Sequence, residues 1–205
     1  MALELKPGIT LYFCRHGETE ANVQKRFQGE RTDTPLTPKG REQGLAIAAL
    51  LKREIADPAA YGYVSSPLER ACLTMEIIRT ALTLAPKGYI TDSRIGEIDL
   101  GSWDGLTDAQ ARALDPAAFD ERTANKWEVR VPGGGENYAD VAQRATNWVY
   151  DLGVDTFAVS HGAFTRILRG LFQGLSWQEM SALDEPQGVV FRVRGSTVER
   201  LEAAA

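Results

Sequence analysis

Histidine and cysteine are scarce in this chain. Its 205 residues include only 2 His and 2 Cys. A closed zinc site of the His/Cys type needs four such ligands at characteristic spacings. The four residues present are Cys14, His16, Cys72 and His161, and their spacing resembles no zinc motif. We therefore expect no metal site.

Long apolar runs are also absent. No segment approaches the roughly 18 uncharged apolar residues that a membrane-spanning helix requires. The first six residues, MALELK, lack the basic and apolar regions of a signal peptide. Two unpaired-looking cysteines fit a reducing compartment. Together these features predict a cytoplasmic protein with no membrane partner.

Lysine is rare among the basic residues, which comprise 17 Arg and 6 Lys against 28 Asp and Glu. The sequence pI is about 5.2, and no stretch is dense in Lys and Arg. Such a chain lacks the positive field that duplex nucleic acid attracts, so we expect no nucleic-acid partner. With 43% apolar and 25% charged residues, the composition is that of a globular protein, and the length favours one domain over residues 1–205.

Predicted strands and helices alternate along the chain, which favours a mostly parallel sheet covered on both faces. We expect a three-layer α/β/α fold with an antiparallel edge strand. Residues 94–136 are irregular, with short helical pieces, and are expected to form a helical or irregular lid insertion that sets substrate specificity. The predicted strands are 9–14, 61–65, 89–91, 157–160 and a hairpin of 189–193 with 197–201; the predicted helices are 38–52, one starting at Ser66-Pro67, 108–114, 137–151 and 163–172.

Three short motifs follow three of the predicted strands. They are Arg15-His16-Gly17, Ser65–Arg70 and His161-Gly162. Ligands of parallel sheets bind beyond the carboxyl ends of the strands. Both histidines and two arginines are therefore expected to converge at one edge of the sheet.

These motifs resemble those of the histidine phosphatase superfamily, also called the phosphoglycerate mutase-like family. The resemblance covers most of the chain in the expected order. The matching residues are Arg15–Thr19 with Asn22, Pro35–Thr37 with Gly40 and Gln43, Ser65–Ala71 with Thr74, Glu97–Gly101 with Trp103 and Gly105, and Val159–Gly162.

The resemblance implies a cofactor-independent, histidine acid phosphatase-type phosphomonoester hydrolase acting on a small phosphorylated metabolite. His16 would be the nucleophile that becomes a phosphohistidine. Glu97 would protonate the leaving oxygen and then activate water. The phosphate would be bound by Arg15, Asn22, Arg70, His161 and the N–H groups near Gly162, with Gln28 and Gly29 at positions that often contact substrate.

Two other activities within this resemblance are weighed against hydrolysis. Mutases of the family typically carry an Asn-Glu-Arg-His-Tyr-Gly stretch where this chain has Gly96–Gly101, and they carry an added basic segment and a covering C-terminal tail. Residues Pro132–Glu136 instead resemble a Pro-Gly-Gly-Glu-Ser element of the phosphatases, with one extra Gly and Asn137 in place of Ser. Hydrolysis is therefore favoured over phosphoglycerate mutase activity and over a weakly active phospholigand-binding module.

Some roles stay open at the level of sequence. Trp103, Trp127 and Arg130 either line the substrate pocket or pack elsewhere. Glu136 either lines that pocket or favours the following helix N-terminus. Gln28 and Gly29 fit a turn nearly as well as a substrate contact, and a homodimer is left open.

Overall fold

A six-stranded sheet organises residues 2–202, the part of the chain that the computed structural model describes. The strands are β1 (Thr10–Arg15), β2 (Gly62–Ser65), β3 (Ile90–Thr91), β4 (Thr156–Ser160), β5 (Val189–Arg194) and β6 (Thr197–Glu202). They lie in the order β3-β2-β4-β1-β5-β6. The first four pair in parallel, whereas β5 runs antiparallel to β1 and β6. The prediction of a mostly parallel sheet with antiparallel pairing at one edge is confirmed.

Eight α-helices surround the sheet within residues 2–202. They are α1 (Glu20–Val23), α2 (Pro38–Glu54), α3 (Glu69–Ala81), α4 (Asp108–Leu114), α5 (Pro116–Ala124), α6 (Tyr138–Asp151), α7 (Gly162–Gln173) and α8 (Trp177–Ala182). The sequence pattern predicts no helix at α1 or α8, because both are too short for an apolar period. Each instead begins at a reciprocal capping box, Thr19 with Asn22 and Ser176 with Glu179. None of the helices described is both long and apolar enough to cross a membrane.

The side chains of β1 alternate between two cores. Leu11 and Phe13 are buried against α6 and α7, whereas Tyr12 and Cys14 are buried against α2 and α3. This alternation is the period of two that a strand buried on both faces must have. The three-layer arrangement predicted from the sequence is therefore confirmed.

The start of α3 differs from its prediction. The helix begins at Glu69 and not at Ser66-Pro67, and its N-cap residue, Leu68, makes no side-chain cap. Asp33 supplies the cap from a distant loop, since one carboxylate oxygen accepts the Glu69 N–H at 2.6 Å and the other accepts from the Arg70 guanidinium at 3.1 Å. The loop around Asp33 therefore fixes Arg70 in the first turn of α3, near the carboxyl end of β2.

Residues 94–136, hereafter the lid segment, contain α4, α5 and irregular backbone. Trp103, Ala111 and Val131 form a small apolar cluster of their own, against which Phe27 and Phe119 pack. This packing holds the segment over the carboxyl edge of the sheet. Its role in specificity stays a prediction, as does the single domain of 1–205, whose residues 1 and 203–205 lie outside the described range.

Candidate active site

A cavity of about 430 Å³ lies at the carboxyl ends of β1 and β4, where Arg15, His16 and Ala163 line it; Arg70 and His161 lie behind these residues, outside the lining. His16 follows β1 and His161 follows β4, and their ring centroids lie 5.1 Å apart with the planes tilted by 58°. Because β1 and β4 are parallel neighbours, residues that follow them in the chain lie side by side. The structure thus brings together the two histidines of the chain.

The imidazole of His16 is held in one tautomer. Its Nδ1 lies 2.7 Å from the carbonyl oxygen of Gly17. A carbonyl can only accept a hydrogen bond, so Nδ1 carries the proton and Nε2 keeps its lone pair. Burial lowers the pKa of His16 well below its usual value, and the charges of Arg15 and Arg70 lower it further. The result is a neutral imidazole with a bare nitrogen.

His161 is completely buried, and neither of its ring nitrogens has a hydrogen-bond partner among residues 2–202. Burial lowers its pKa well below the usual range, with Arg70 and His16 adding to the effect. A buried polar group without a hydrogen-bond partner lowers the stability of the fold, and a ligand atom that bonds to it would remove this cost. His161 can donate one hydrogen bond to such a ligand from a neutral ring.

Two arginines flank the histidines. Arg70 is fully buried, and its guanidinium donates to the carbonyl of Gly29 at 2.8 Å as well as to Asp33. Arg15 donates to the backbone carbonyl of Glu185 at 2.8 Å. The Nε atoms of both arginines are buried and have no partner among the described residues. The site is thus positively charged, with donors to spare for an anion.

Glu97 lies at the N-terminus of α7. Its carboxylate accepts hydrogen bonds from the amides of Gly162 at 3.0 Å and Ala163 at 3.2 Å, and from its own neighbour Ile98 at 3.0 Å. Burial and the nearby Glu185 carboxylate raise the pKa of Glu97, against the opposing effects of the Ile98 amide and of the Arg70 and Arg15 charges. The N–H groups near Gly162, expected to bind phosphate, therefore orient this carboxyl group instead.

An ion pair absent from the sequence-based site holds Glu97 in place. Arg144 donates to both carboxylate oxygens of Glu136, at 3.0 and 3.1 Å, and to the carbonyls of Arg94, Gly96 and Glu97. Glu136 also accepts the Asp99 N–H at 3.0 Å. The main contacts of Glu136 therefore match neither role considered for it. Glu136 binds the Arg144 guanidinium, which in turn binds the backbone carbonyl of Glu97.

The remaining predicted contacts divide into two groups. Asn22 and Gln28 line the cavity. The side chain of Gln28 is already bonded to Thr19 and Thr34, which ties two loops together. Gly29 is not in the cavity lining; its amide donates to Asp104 and its carbonyl accepts from Arg70. For Gly29 the geometry supports the loop role left open above.

The glycines after the two histidines are both closely packed. A Cβ on Gly162 would lie 2.5 Å from a carboxylate oxygen of Glu185. A Cβ on Gly17 would collide with the backbone carbonyl of Gly40, while the amide of Gly17 donates to Thr74 at 3.1 Å. The Gly17 position therefore needs a residue without a side chain, because the Gly40 backbone cannot rotate away. At Gly162 a Cβ would displace the Glu185 carboxylate, which is the end of a flexible side chain.

The three candidate lining residues of the lid segment lie in different places. Trp103 lines the cavity and packs against Phe119, with ring centroids 5.3 Å apart. Trp127 lies outside the cavity lining, where it stacks on Trp177. Arg130 is exposed and pairs with Asp140. Of these, only Trp103 is placed to contact a ligand in the cavity.

Sequence reasoning did not find several polar residues of the cavity wall. They come from the loop after α1, from the lid segment, from α6, from α7 and from the loop before β5. No local motif groups residues so far apart, and only the folding of the lid segment over the sheet edge brings them together. They are Arg26, Arg122, Lys126, Tyr138, Arg166 and Glu185.

The geometry of this edge agrees with a comparison of the sequence with known families. Residues 11–197 match the model of the histidine phosphatase superfamily, branch 1. The chain belongs to the histidine phosphatase superfamily. The resemblance inferred from the motifs is thereby confirmed.

Relatives and solved structures of this superfamily extend the match. A glucosyl-3-phosphoglycerate phosphatase of Mycobacterium tuberculosis is 39% identical over 145 residues, which is 69% of this chain and 59% of that protein. Phosphoglycerate mutase-like protein 4 of Arabidopsis thaliana is 32% identical over 75% of this chain and 66% of its own length. The chain thus spans under two thirds of the length of these curated relatives.

Among solved structures, YhfR of Bacillus stearothermophilus is similar at a TM-score of 0.77 and 33% identity, covering 94% of this chain and 95% of that one. A mycobacterial glucosyl-3-phosphoglycerate phosphatase, solved as a complex with VO3, is similar at a TM-score of 0.78 and 28% identity, with coverage of 96% and 100%. The histidine phosphatase fold and a family that includes phosphatases are therefore established for this chain.

Proposed function

We propose that the chain is a histidine acid phosphatase-type phosphomonoester hydrolase that acts on a small phosphorylated metabolite through a phosphohistidine on His16. The observation that carries this proposal is the unprotonated Nε2 of His16, a residue that lines the cavity, next to His161 and two arginines. A neutral imidazole nitrogen is a competent nucleophile toward phosphorus. The activity needs no cofactor in this proposal.

In the first step, the lone pair of Nε2 attacks phosphorus and the bond to the ester oxygen breaks. Arg15, Arg70 and His161 donate to the phosphoryl oxygens, whose charge is spread in the transition state. The leaving oxygen takes a proton from Glu97. The raised pKa of Glu97 favours the protonated form that this step requires, and a bound phosphate dianion raises it further by like-charge repulsion.

In the second step, Glu97 is a carboxylate and accepts a proton from water. The resulting hydroxide attacks phosphorus, and the N–P bond breaks with its electron pair returning to Nε2 of His16. Inorganic phosphate leaves, and Glu97 carries its proton again. The cycle therefore balances with one ester and one water consumed and one alcohol and one phosphate released.

Measurement of inorganic phosphate release from a panel of phosphomonoesters tests the proposal. The panel includes glucosyl-3-phosphoglycerate, because two relatives are named for its hydrolysis. We expect the His16→Ala variant to lose phosphate release and the acid-labile phosphoenzyme, while Tyr150→Ala, which changes a side chain that is 61% exposed, keeps both.

Two other outcomes would replace hydrolysis. Interconversion of 2- and 3-phosphoglycerate without phosphate release would identify a mutase. Saturable binding of phosphoesters without any product would identify a phospholigand-binding module. Full phosphatase activity in His16→Ala would refute the covalent mechanism.

A further inference from the structure

A second group of basic side chains lines the same cavity, apart from the residues assigned to phosphoryl transfer. Arg122 comes from α5, Lys126 follows that helix, and Arg166 lies in α7. All three contact one aromatic residue, Tyr138. The Arg122 guanidinium lies 5.2 Å from the centre of that ring and the Lys126 ammonium 5.9 Å, while Arg166 donates to the phenol oxygen at 2.9 Å.

Within this group, Arg122 is buried and has no counterion among the described residues. The residue is only 5% exposed, yet its guanidinium makes no ion pair or hydrogen bond with any residue from 2 to 202, and its Nε is buried without a partner. A buried charge without a counterion is strongly unfavourable, because the water it has lost is not replaced. The face of Tyr138 compensates only in part. An arginine kept in this state at a cavity wall is suited to an anion that enters the cavity.

The neighbouring charges leave the group unneutralised. Glu185 pairs with Arg166 at 3.3 Å, and Asp108 also lines the cavity. Neither carboxylate forms an ion pair with Lys126 or Arg122, and each attracts Lys126 only at longer range. Burial and the like charges of Arg122 and Arg166 lower the pKa of Lys126, which reflects the same excess of positive charge.

The group lies within the reach of a small molecule held at His16. Arg166 is one helical turn beyond Gly162, the residue whose amide binds Glu97, and one turn of an α-helix rises by about 5.4 Å. Glu185 joins the two regions, because its carboxylate pairs with Arg166 while its carbonyl accepts from Arg15. The cavity volume of about 430 Å³ lies within the range of small-molecule sites.

We propose that Arg122, Lys126 and Arg166 form a subsite for a second anionic group on the substrate, either a carboxylate or a second phosphate. This inference rests on the proposed phosphatase function, and it narrows the substrate class to small phosphomonoesters that carry another negative charge. In the free protein Glu185 occupies part of this subsite by pairing with Arg166.

Matched substrate pairs test the subsite and distinguish the two anions. 3-Phosphoglycerate and glycerol 3-phosphate differ by a carboxylate in place of a hydroxymethyl group. Fructose 1,6-bisphosphate and fructose 6-phosphate differ by one phosphate. For each pair, kcat/KM is measured by phosphate release; for a pair that is not hydrolysed, the competitive inhibition constants against p-nitrophenyl phosphate replace it.

We expect the protein to prefer the anionic member of at least one pair by about 10- to 100-fold, the effect of a hydrogen-bonded charge. The preferred pair identifies the second group as carboxylate or phosphate. In Arg122→Met and Lys126→Met this preference falls by about tenfold or more. The control Arg112→Met removes an exposed arginine of the neighbouring helix, which pairs with Asp120, and leaves the preference unchanged.

The preference is a ratio within one protein sample, so a variant that folds only in part gives the same ratio as one that folds fully. No preference for either anionic member in the unmodified protein would overturn the subsite, and so would a preference that survives in both variants. If no ester gives His16-dependent phosphate release, the phosphatase function itself is refuted; the inhibition or direct binding of the same pairs still decides the subsite.

Discussion

The carboxylate of Glu97 accepts a hydrogen bond of 3.0 Å from the amide of Gly162, the residue that follows His161 in the chain. One turn of backbone thus carries a histidine proposed to bind the phosphoryl group and the amide that orients the proposed acid. The N-terminus of α7 therefore positions both the proposed acid and the proposed phosphoryl-binding histidine.

The role of Glu97 predicts a dependence on the leaving group. Alkyl phosphates need a proton on the departing oxygen, whereas p-nitrophenolate leaves without one. We expect Glu97→Gln to lower kcat/KM for an alkyl phosphate by about 10²- to 10⁴-fold, the usual worth of a general acid, with a much smaller loss for p-nitrophenyl phosphate. Stopped-flow measurement is also expected to give a burst of p-nitrophenol, since hydrolysis of the phosphohistidine still lacks its base. Equal losses on both substrates would argue against Glu97 as the acid.

The ion pair of Glu136 with Arg144 predicts a positioning effect of the same kind. Glu136→Gln keeps the shape of the side chain and removes the charge that anchors the Arg144 fork. We expect a loss of about tenfold or more in kcat for alkyl phosphates, because displacement of a catalytic group by about 1 Å is costly, and a smaller loss in kcat/KM for p-nitrophenyl phosphate.

Arg130→Met is the control for that experiment, since it breaks an exposed ion pair in the same segment. It should leave both substrates unaffected. If Glu136→Gln lowers the two activities by the same factor, its effect is a general loss of structure and the positioning role is refuted.

The sequence predicts best those helices and strands whose caps and apolar spacing lie within or next to the element itself. Helix α6 has the predicted bounds because Asn137 caps it and its apolar residues recur at helical spacing. The predicted start of α3 was wrong, because the residue that caps this helix, Asp33, belongs to another loop. A cap supplied across the fold leaves no trace in the residues next to the helix.

The candidate site divides in the same way. His16 and His161 could be placed together because each follows a strand of one parallel sheet, and strand order constrains what meets at its edge. Arg122 could not be placed, because its position depends on how the lid segment folds back over the sheet. The contacts that set substrate preference are therefore the part of the site least accessible from the sequence.

The two buried histidines predict acid sensitivity. Both have folded-state pKa values well below the usual 6.5, so between that value and their folded values the unfolded chain binds more protons. The free energy of unfolding should therefore fall as pH drops below about 6.5, by up to about 1.4 kcal/mol per pH unit for each histidine. The raised pKa of Glu97 acts in the opposite direction.

Urea unfolding of the unmodified protein and of His161→Asn across pH 5 to 8 checks this prediction. Glu97 is present in both proteins, so its opposing contribution largely cancels in the comparison. Below pH 6.5 we expect the free energy of unfolding of the variant to depend less steeply on pH, by the slope that corresponds to about one bound proton. Parallel stability curves for the two proteins would show that His161 does not stay neutral in the fold.

The contact of Gly17 with Gly40 predicts a steric effect on stability and activity together. A Cβ at Gly17 meets the Gly40 carbonyl, which is backbone and cannot rotate away, so Gly17→Ala should lower the free energy of unfolding by about 1–3 kcal/mol. The same shift should displace His16, whose Nδ1 is bonded to the Gly17 carbonyl, and reduce phosphoenzyme formation.

Gly153→Ala is the matched control, because a Cβ there meets nothing within 4 Å and the backbone is in a region open to alanine. That variant should be within about 0.5 kcal/mol of the unmodified protein. Denaturant unfolding and trapping of the phosphoenzyme measure the two effects, and a Gly17→Ala protein as stable and active as Gly153→Ala would mean that the loop carrying His16 yields to the added methyl group.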